Sequence, residues 1–244
     1  MYSINKYAYL ETHLTSNTTT RLKPAILILP GGSYVFTSPR EGEPVAKAFN
    51  AKGVHAFVLH YTSYDKSKDF TIDSLLDEVK VALAYIKENA CEFQVDLDNI
   101  FLVGFSAGGH LAATVANKYP TDFKKVILGY PGLHILPKKE KLDTHEKFIF
   151  NLFSLDPTEE VTSNNPPTFI WHTGEDDIVP IIDSINYIKK LNELGVRYEA
   201  HFYEKGAHGL SLATNISAEE DGRRVNQHAA SWFELAVSWL LENN

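Results

Sequence analysis

The residues of this sequence best suited to covalent chemistry are Gly104-Phe105-Ser106-Ala107-Gly108. They follow a short apolar run at 100–103 and open a run of small residues at 107–118. A serine on a tight strand-to-helix turn sits in a strained backbone conformation, so its neighbours two positions away must lack bulk. Gly104, Gly108 and the small Ala107 satisfy that demand. The helix that follows would aim its free N–H groups at negative charge developing during acyl transfer. The plain alternative is an ordinary turn with a helix-capping serine. The position between strand and helix favours a nucleophile.

A nucleophilic serine needs a base, and the base needs an orienting acid. For this turn motif the acid and then the histidine follow later in the chain. Gly174-Glu175-Asp176-Asp177-Ile178-Val179-Pro180 comes just after an apolar run at 168–172, and Asp176 and Asp177 are equal candidates for the acid. Lys205-Gly206-Ala207-His208-Gly209 comes after the next run at 198–203, and its glycines give His208 the freedom a base needs. Of the ten histidines, His55, His60, His172 and His201 lie in or at the ends of strand-like runs and read as structural. His110 lies one turn past Ser106 and is out of order for the base. An oxyanion hole needs two N–H donors. The amide of Ala107 supplies one, and Pro30-Gly31-Gly32-Ser33-Tyr34, after the run at 25–29, is where the second is expected, a plain turn being the alternative.

Short apolar runs at 25–29, 54–59, 100–103, 126–129, 168–172 and 198–203 read as buried strands. Between them, helices are predicted over 43–52, 73–89, 107–118 and 183–194, with a last one over 228–242. That alternation predicts an α/β fold with a mostly parallel central sheet and helices on both faces. The candidate nucleophile, acid and base then all lie beyond strand C-terminal ends, on one edge of the sheet. An N-terminal edge strand is expected over 7–15, followed by a polar turn over 15–20. Residues 133–167 break the rhythm, with Lys138, Lys139 and Lys141, then Phe148, Phe150 and Phe153. They read as a small cap inserted in a single domain spanning 1–244.

With 244 residues, 44% of them apolar and 22% charged, the chain can bury one large core. Its single cysteine, Cys91, excludes an internal disulfide and a cysteine-based zinc site. A net charge of −8 does not suit a nucleic-acid or anionic-membrane partner. No membrane span and no signal peptide is read from the sequence, so a cytoplasmic location is expected.

The segments at 29–34 (LPGGSY), 39–49 (PREGEPVAKAF), 103–113 (VGFSAGGHLAA), 165–180 (NPPTFIWHTGEDDIVP) and 203–213 (YEKGAHGLSLA) resemble the α/β-hydrolase superfamily. The similarity is to its small acetyl esterase/lipase group, which includes acetyl-xylan and feruloyl esterase-like carboxylesterases. In that group's pattern the acid lies four residues before a proline, which implies Asp176 in a Ser106–His208–Asp176 triad. The resemblance further implies Gly32 or Ser33 with Ala107 as oxyanion donors, and neither metal nor organic cofactor. Related lipases carry His-Gly-Gly-Gly where this chain has Pro30-Gly31-Gly32-Ser33, so the choice of loop amide stays open. Tyr34, Phe36, Tyr130, Phe150 and Phe153 are expected to line a small apolar acyl pocket. The implied activity is hydrolysis of short acyl esters, acetyl first, and by family analogy those of sugars. The implied partner is a small-molecule ester, with a homo-oligomer left open. A serine peptidase on the same fold and a non-catalytic ligand-binding protein on that scaffold are the alternatives.

Overall fold

A computed structural model describes residues 1–16, 20–135, 141–220 and 222–242. Residues 17–19 of the expected polar turn, and Lys138 and Lys139 of the lysine cluster, lie outside the described residues. The strands are β1 (Tyr2–Ser3), β2 (Tyr9–His13), β3 (Lys23–Leu29), β4 (His55–His60), β5 (Val95–Phe105), β6 (Lys125–Gly129), β7 (Thr168–Thr173) and β8 (Tyr198–Tyr203). The helices are α1 (Glu43–Ala51), α2 (Ile72–Glu88), the single turn α3 (Ala90–Phe93), α4 (Ala107–Lys118), α5 (Thr144–Leu152), α6 (Ile181–Glu193) and α7 (Ser231–Leu241).

All eight strands join one sheet in the order β1-β2-β4-β3-β5-β6-β7-β8. From β4 through β8 every pairing is parallel, because helical crossovers return the chain to the same end each time. The β1–β2 and β2–β4 pairings are antiparallel, so among the described strands β2 alone runs against the others. Side chains alternate across each strand. Ala25, Leu27 and Leu29 therefore pack with residues of α2, α4 and α6 on one face. Ile26 and Ile28 pack with residues of α1 and α7 on the other. Both faces are covered, which is why the central strands read as unbroken apolar runs. Among the described residues, no helix is long and apolar enough to cross a membrane.

Three features depart furthest from the sequence reading. β2 is not the sheet edge, since the two-residue β1 lies outside it. β5 begins at Val95, five residues early, through a polar stretch whose register shifts against β3 between Lys23 and Ala25. α7 begins at Ser231, because Asn226 Oδ1 accepts the Ala229 N–H and holds the preceding residues in turns. Within 133–167, α5 starts at a capping box in which Asp143 and Glu146 satisfy each other's backbone N–H. The end of that stretch is tied to α4: Asn117 Nδ2 donates to the Pro157 carbonyl, and Asn165 Nδ2 donates to Asn117 Oδ1.

Candidate active site

The turn from β5 into α4 places Ser106 at φ 52°, ψ −117°, a left-handed backbone that only strong local constraint holds in a non-glycine residue. The constraint is close packing. A Cβ on Gly104 would lie 2.1 Å from the Gly108 carbonyl oxygen, and one on Gly108 would lie 2.0 Å from that of Leu29. The glycines let α4 press against β5 and the end of β3, which brings the loop at 30–34 beside the serine.

Ser106 Oγ lies 2.8 Å from His208 Nε2, and His208 Nδ1 lies 2.7 Å from Asp176 Oδ2. Asp176 is acceptor-only when ionised, so the His208 proton sits on Nδ1 and Nε2 is free to accept from the serine hydroxyl. The Asp176 side chain is wholly shielded from solvent, and that of His208 is 16% exposed. Asp177 is exposed. The geometry thus separates two carboxylates that the residue types left equal.

Asp176 is held from every side. Its Oδ1 accepts the backbone N–H of Ile178 at 3.0 Å and of Val179 at 2.8 Å. Its Oδ2 also accepts from His172 Nε2 at 3.1 Å. Burial pushes the carboxyl up, but the hydrogen bonds from His172 and His208 outweigh it and hold the group well below the usual carboxylate range. His172 Nε2 faces two acceptors, Asp176 Oδ2 and the Val179 carbonyl, so it carries the proton. Its Nδ1 then accepts from the Ser184 hydroxyl at 2.7 Å. His172 read as structural in the sequence; its ring bonds directly to Asp176. Its place at i−4 from Asp176, at the end of β7, was the available signal.

The loop after β3 lies beside Ser106: a Cβ on Gly31 would come 2.9 Å from Ser106 Cβ. Gly31 N–H is engaged by Glu41 Oε2 at 2.7 Å. Among the described residues, the amides of Gly32, Ser33 and Ala107 have no protein acceptor. Gly32 has φ 121°, and a Cβ there would lie 2.1 Å from the Phe36 carbonyl, so only glycine fits the turn. Ser33 and Tyr34 also take positive φ.

The residues expected to line an acyl pocket divide. Tyr34 and Tyr130 do not line it: they are 0% and 2% exposed, with both hydroxyls committed inside the protein. Tyr34 O–H donates to His110 Nδ1 at 2.8 Å, since His110 Nε2–H is spent on the Leu155 carbonyl. Burial depresses His110 to about 4, which keeps that ring neutral. Phe153 is 8% exposed and packs against Tyr34 and His110, with ring centroids 5.1 and 5.0 Å away. Phe150 is half-buried on α5. Phe36 is exposed beside the glycine loop. Tyr130 packs edge-on against His208 at 5.1 Å. Cys91 lies on α3 at the surface, away from this cluster.

A strained serine at the C-terminal edge of a parallel sheet, bonded to a histidine from the loop after β8 and through it to a carboxylate from the loop after β7, fits a hydrolase class. The BD-FAE family matches residues 10–131, and the prolyl oligopeptidase family matches residues 73–238. The chain belongs to the α/β-hydrolase superfamily. It is similar to a solved sugar hydrolase of Lactococcus lactis, with 35% identity, TM-score 0.85, and coverage of 98% of this chain and 95% of that one. It is 29% identical to endo-1,4-beta-xylanase B of Butyrivibrio fibrisolvens over 86% of this chain and 35% of that protein. It is 23% identical to the acetylxylan esterase of Xylanibacter ruminicola over 78% of this chain and 42% of that protein. The chain therefore spans well under half the length of these two curated relatives.

Proposed function

We propose that the protein is a serine carboxylesterase that removes short acyl groups, acetyl first, from oxygen esters, with O-acetylated sugars as the natural class. One observation carries this reading: the unbroken relay from Ser106 Oγ through His208 to Asp176, at 2.8 and 2.7 Å, beside unengaged amides. His208 Nε2 takes the Ser106 proton as Oγ attacks the ester carbonyl. The Ala107 amide and that of Gly32 or Ser33 hold the oxyanion. The imidazolium, stabilised by Asp176, then protonates the departing alcohol. Water activated by the same His208 releases the acid and restores the serine. The relatives acting on xylan, and the sugar hydrolase, support a carbohydrate alcohol.

The test is hydrolysis of p-nitrophenyl acetate against the octanoate, followed by a panel of acetylated xylo-oligosaccharides. Acetate preference that disappears in Ser106→Ala supports the reading, and equal activity in that variant ends it. The match to the prolyl oligopeptidase family over residues 73–238 favours a second reading, a serine peptidase. Turnover of dipeptide amides without ester preference would select it.

A further inference from the structure

We infer that Glu41 is a positioning residue that locks the oxyanion loop to the histidine loop, with Tyr130 as its relay. The inference rests on the esterase reading above and adds to it a group outside the triad. Glu41 ends a short 3-10 turn over Pro39–Glu41 and is 2% exposed. A carboxylate so buried is tolerated only where hydrogen bonds replace water. Both of its oxygens are used, and they point at different parts of the site. Oε2 accepts the Gly31 N–H at 2.7 Å, and Oε1 accepts the Tyr130 hydroxyl.

The first bond turns Gly31 away from the reaction and leaves the next two amides as donors. It also acts close to the nucleophile: a Cβ on Gly31 would lie 2.8 Å from Glu41 Oε2 and 2.9 Å from Ser106 Cβ. The second bond passes on. Having donated its proton to Glu41, the Tyr130 oxygen accepts the Ser211 N–H at 2.8 Å. Ser211 lies three residues past His208 and has φ 54°, so its backbone needs outside support. The same stretch is tied to the residue before Glu41. Ser211 Oγ donates to the Arg40 carbonyl at 2.7 Å, and Arg40 Nη2 donates to the Gly209 carbonyl at 2.9 Å. Trp232 Nε1 fixes the Ser211 carbonyl from the other side at 2.9 Å. The Tyr130 ring meanwhile packs on His208.

Residues 40–41 thus hold Gly31 and the backbone at 209–211 in one frame. Oxyanion donors and base come from loops far apart in sequence, and the distance between them matters only in the transition state. A displacement near 1 Å there lowers turnover by about 10²-fold. Glu41→Gln turns an N–H₂ toward one of two groups that need an acceptor. Tyr130→Phe removes one hydroxyl and leaves the Ser211 N–H and Glu41 Oε1 unpaired.

The experiment measures kcat and KM for p-nitrophenyl acetate per active site titrated with a fluorophosphonate, in wild type, Glu41→Gln, Tyr130→Phe and the double variant. Inhibition by a trifluoromethyl ketone, whose serine adduct places an oxyanion in the hole, is measured alongside. The expected result is a kcat per titrated site about 10- to 10²-fold lower, with KM within about threefold. The ketone should weaken in proportion to kcat/KM, and the double variant should lose less than the product of the single losses. A merely structural role lowers the number of titratable sites and leaves kcat per site alone; that result overturns the inference. Unchanged kcat in both single variants, or a rise in KM alone, does so too. If Glu41→Gln yields no titratable sites, Tyr130→Phe decides by the same criteria, since it deletes a single oxygen. Wild-type protein that hydrolyses no ester and titrates no serine ends the esterase reading itself, a separate failure.

Discussion

Replacing Asp176 by asparagine tests the site where two carboxylates stand side by side in the sequence. Two backbone N–H groups bind Oδ1, so an asparagine keeps its carbonyl oxygen there and turns its N–H₂ toward the two imidazoles. His208 Nδ1 must then accept, which moves the ring proton to Nε2, directly against Ser106 Oγ. The base is held in the tautomer that cannot take the serine proton. A swap of this kind lowers kcat by about 10⁴, which corresponds to roughly 5 kcal/mol of transition-state stabilisation. His172 meets the same N–H₂ at 3.1 Å; moving its proton to Nδ1, onto Ser184 Oγ, accommodates it at the loss of the bond to the Val179 carbonyl, so the expected stability loss is about 1 kcal/mol and KM stays within about threefold. Exposed Asp177→Asn should keep most of wild-type kcat, since the bond to His208 Nδ1 comes from Asp176. The assay is p-nitrophenyl acetate hydrolysis at pH 7.5 with active sites titrated. An Asp176→Asn enzyme above about one-tenth of wild-type kcat, or an equal loss in Asp177→Asn, would refute the tautomer argument.

Three further outcomes follow from the same geometry. Gly108→Ala drives a Cβ to 2.0 Å from the Leu29 carbonyl, so soluble protein with wild-type kcat would contradict the packing of the elbow; the expected result is loss of activity or about 3 kcal/mol of stability in urea. His110, depressed to about 4, is neutral in the folded protein while the unfolded chain protonates near 6.5. Its contribution is full above that pH and falls by about 3 kcal/mol as pH drops toward 4, and urea titrations should show a shallower fall in His110→Asn. His172→Phe removes one of the two imidazole donors on Asp176 and should lower unfolding free energy by about 1.5–3 kcal/mol, with a smaller kcat loss than Asp176→Asn.

The sequence made legible whatever depends on neighbours in the chain. The apolar runs marked the central parallel strands, and the Gly-x-Ser-x-Gly turn marked Ser106, because the steric demand is met within five residues. His208 was legible because a flexible glycine loop follows a strand. Asp176 could be separated from Asp177 only through the family pattern, because what distinguishes them is burial against His208, 32 residues further on.

What stayed hidden shares one physical cause: a polar side chain whose meaning is set by a partner distant in sequence. Tyr34 and Tyr130 look like pocket aromatics until their hydroxyls are seen bound to His110 and Glu41. Glu41 is ten residues from Gly31 and 89 from Tyr130, separations at which composition and periodicity carry no information. A buried carboxylate or tyrosine hydroxyl must find a partner or destabilise the fold, so each such group in the folded chain reports a constraint. In this chain the constraints converge on the two loops flanking Ser106. On the proposed esterase reading, the geometry around Ser106 rests on these buried polar pairs as well as on the relay to His208 and Asp176, and the Glu41 and Tyr130 variants measure by how much.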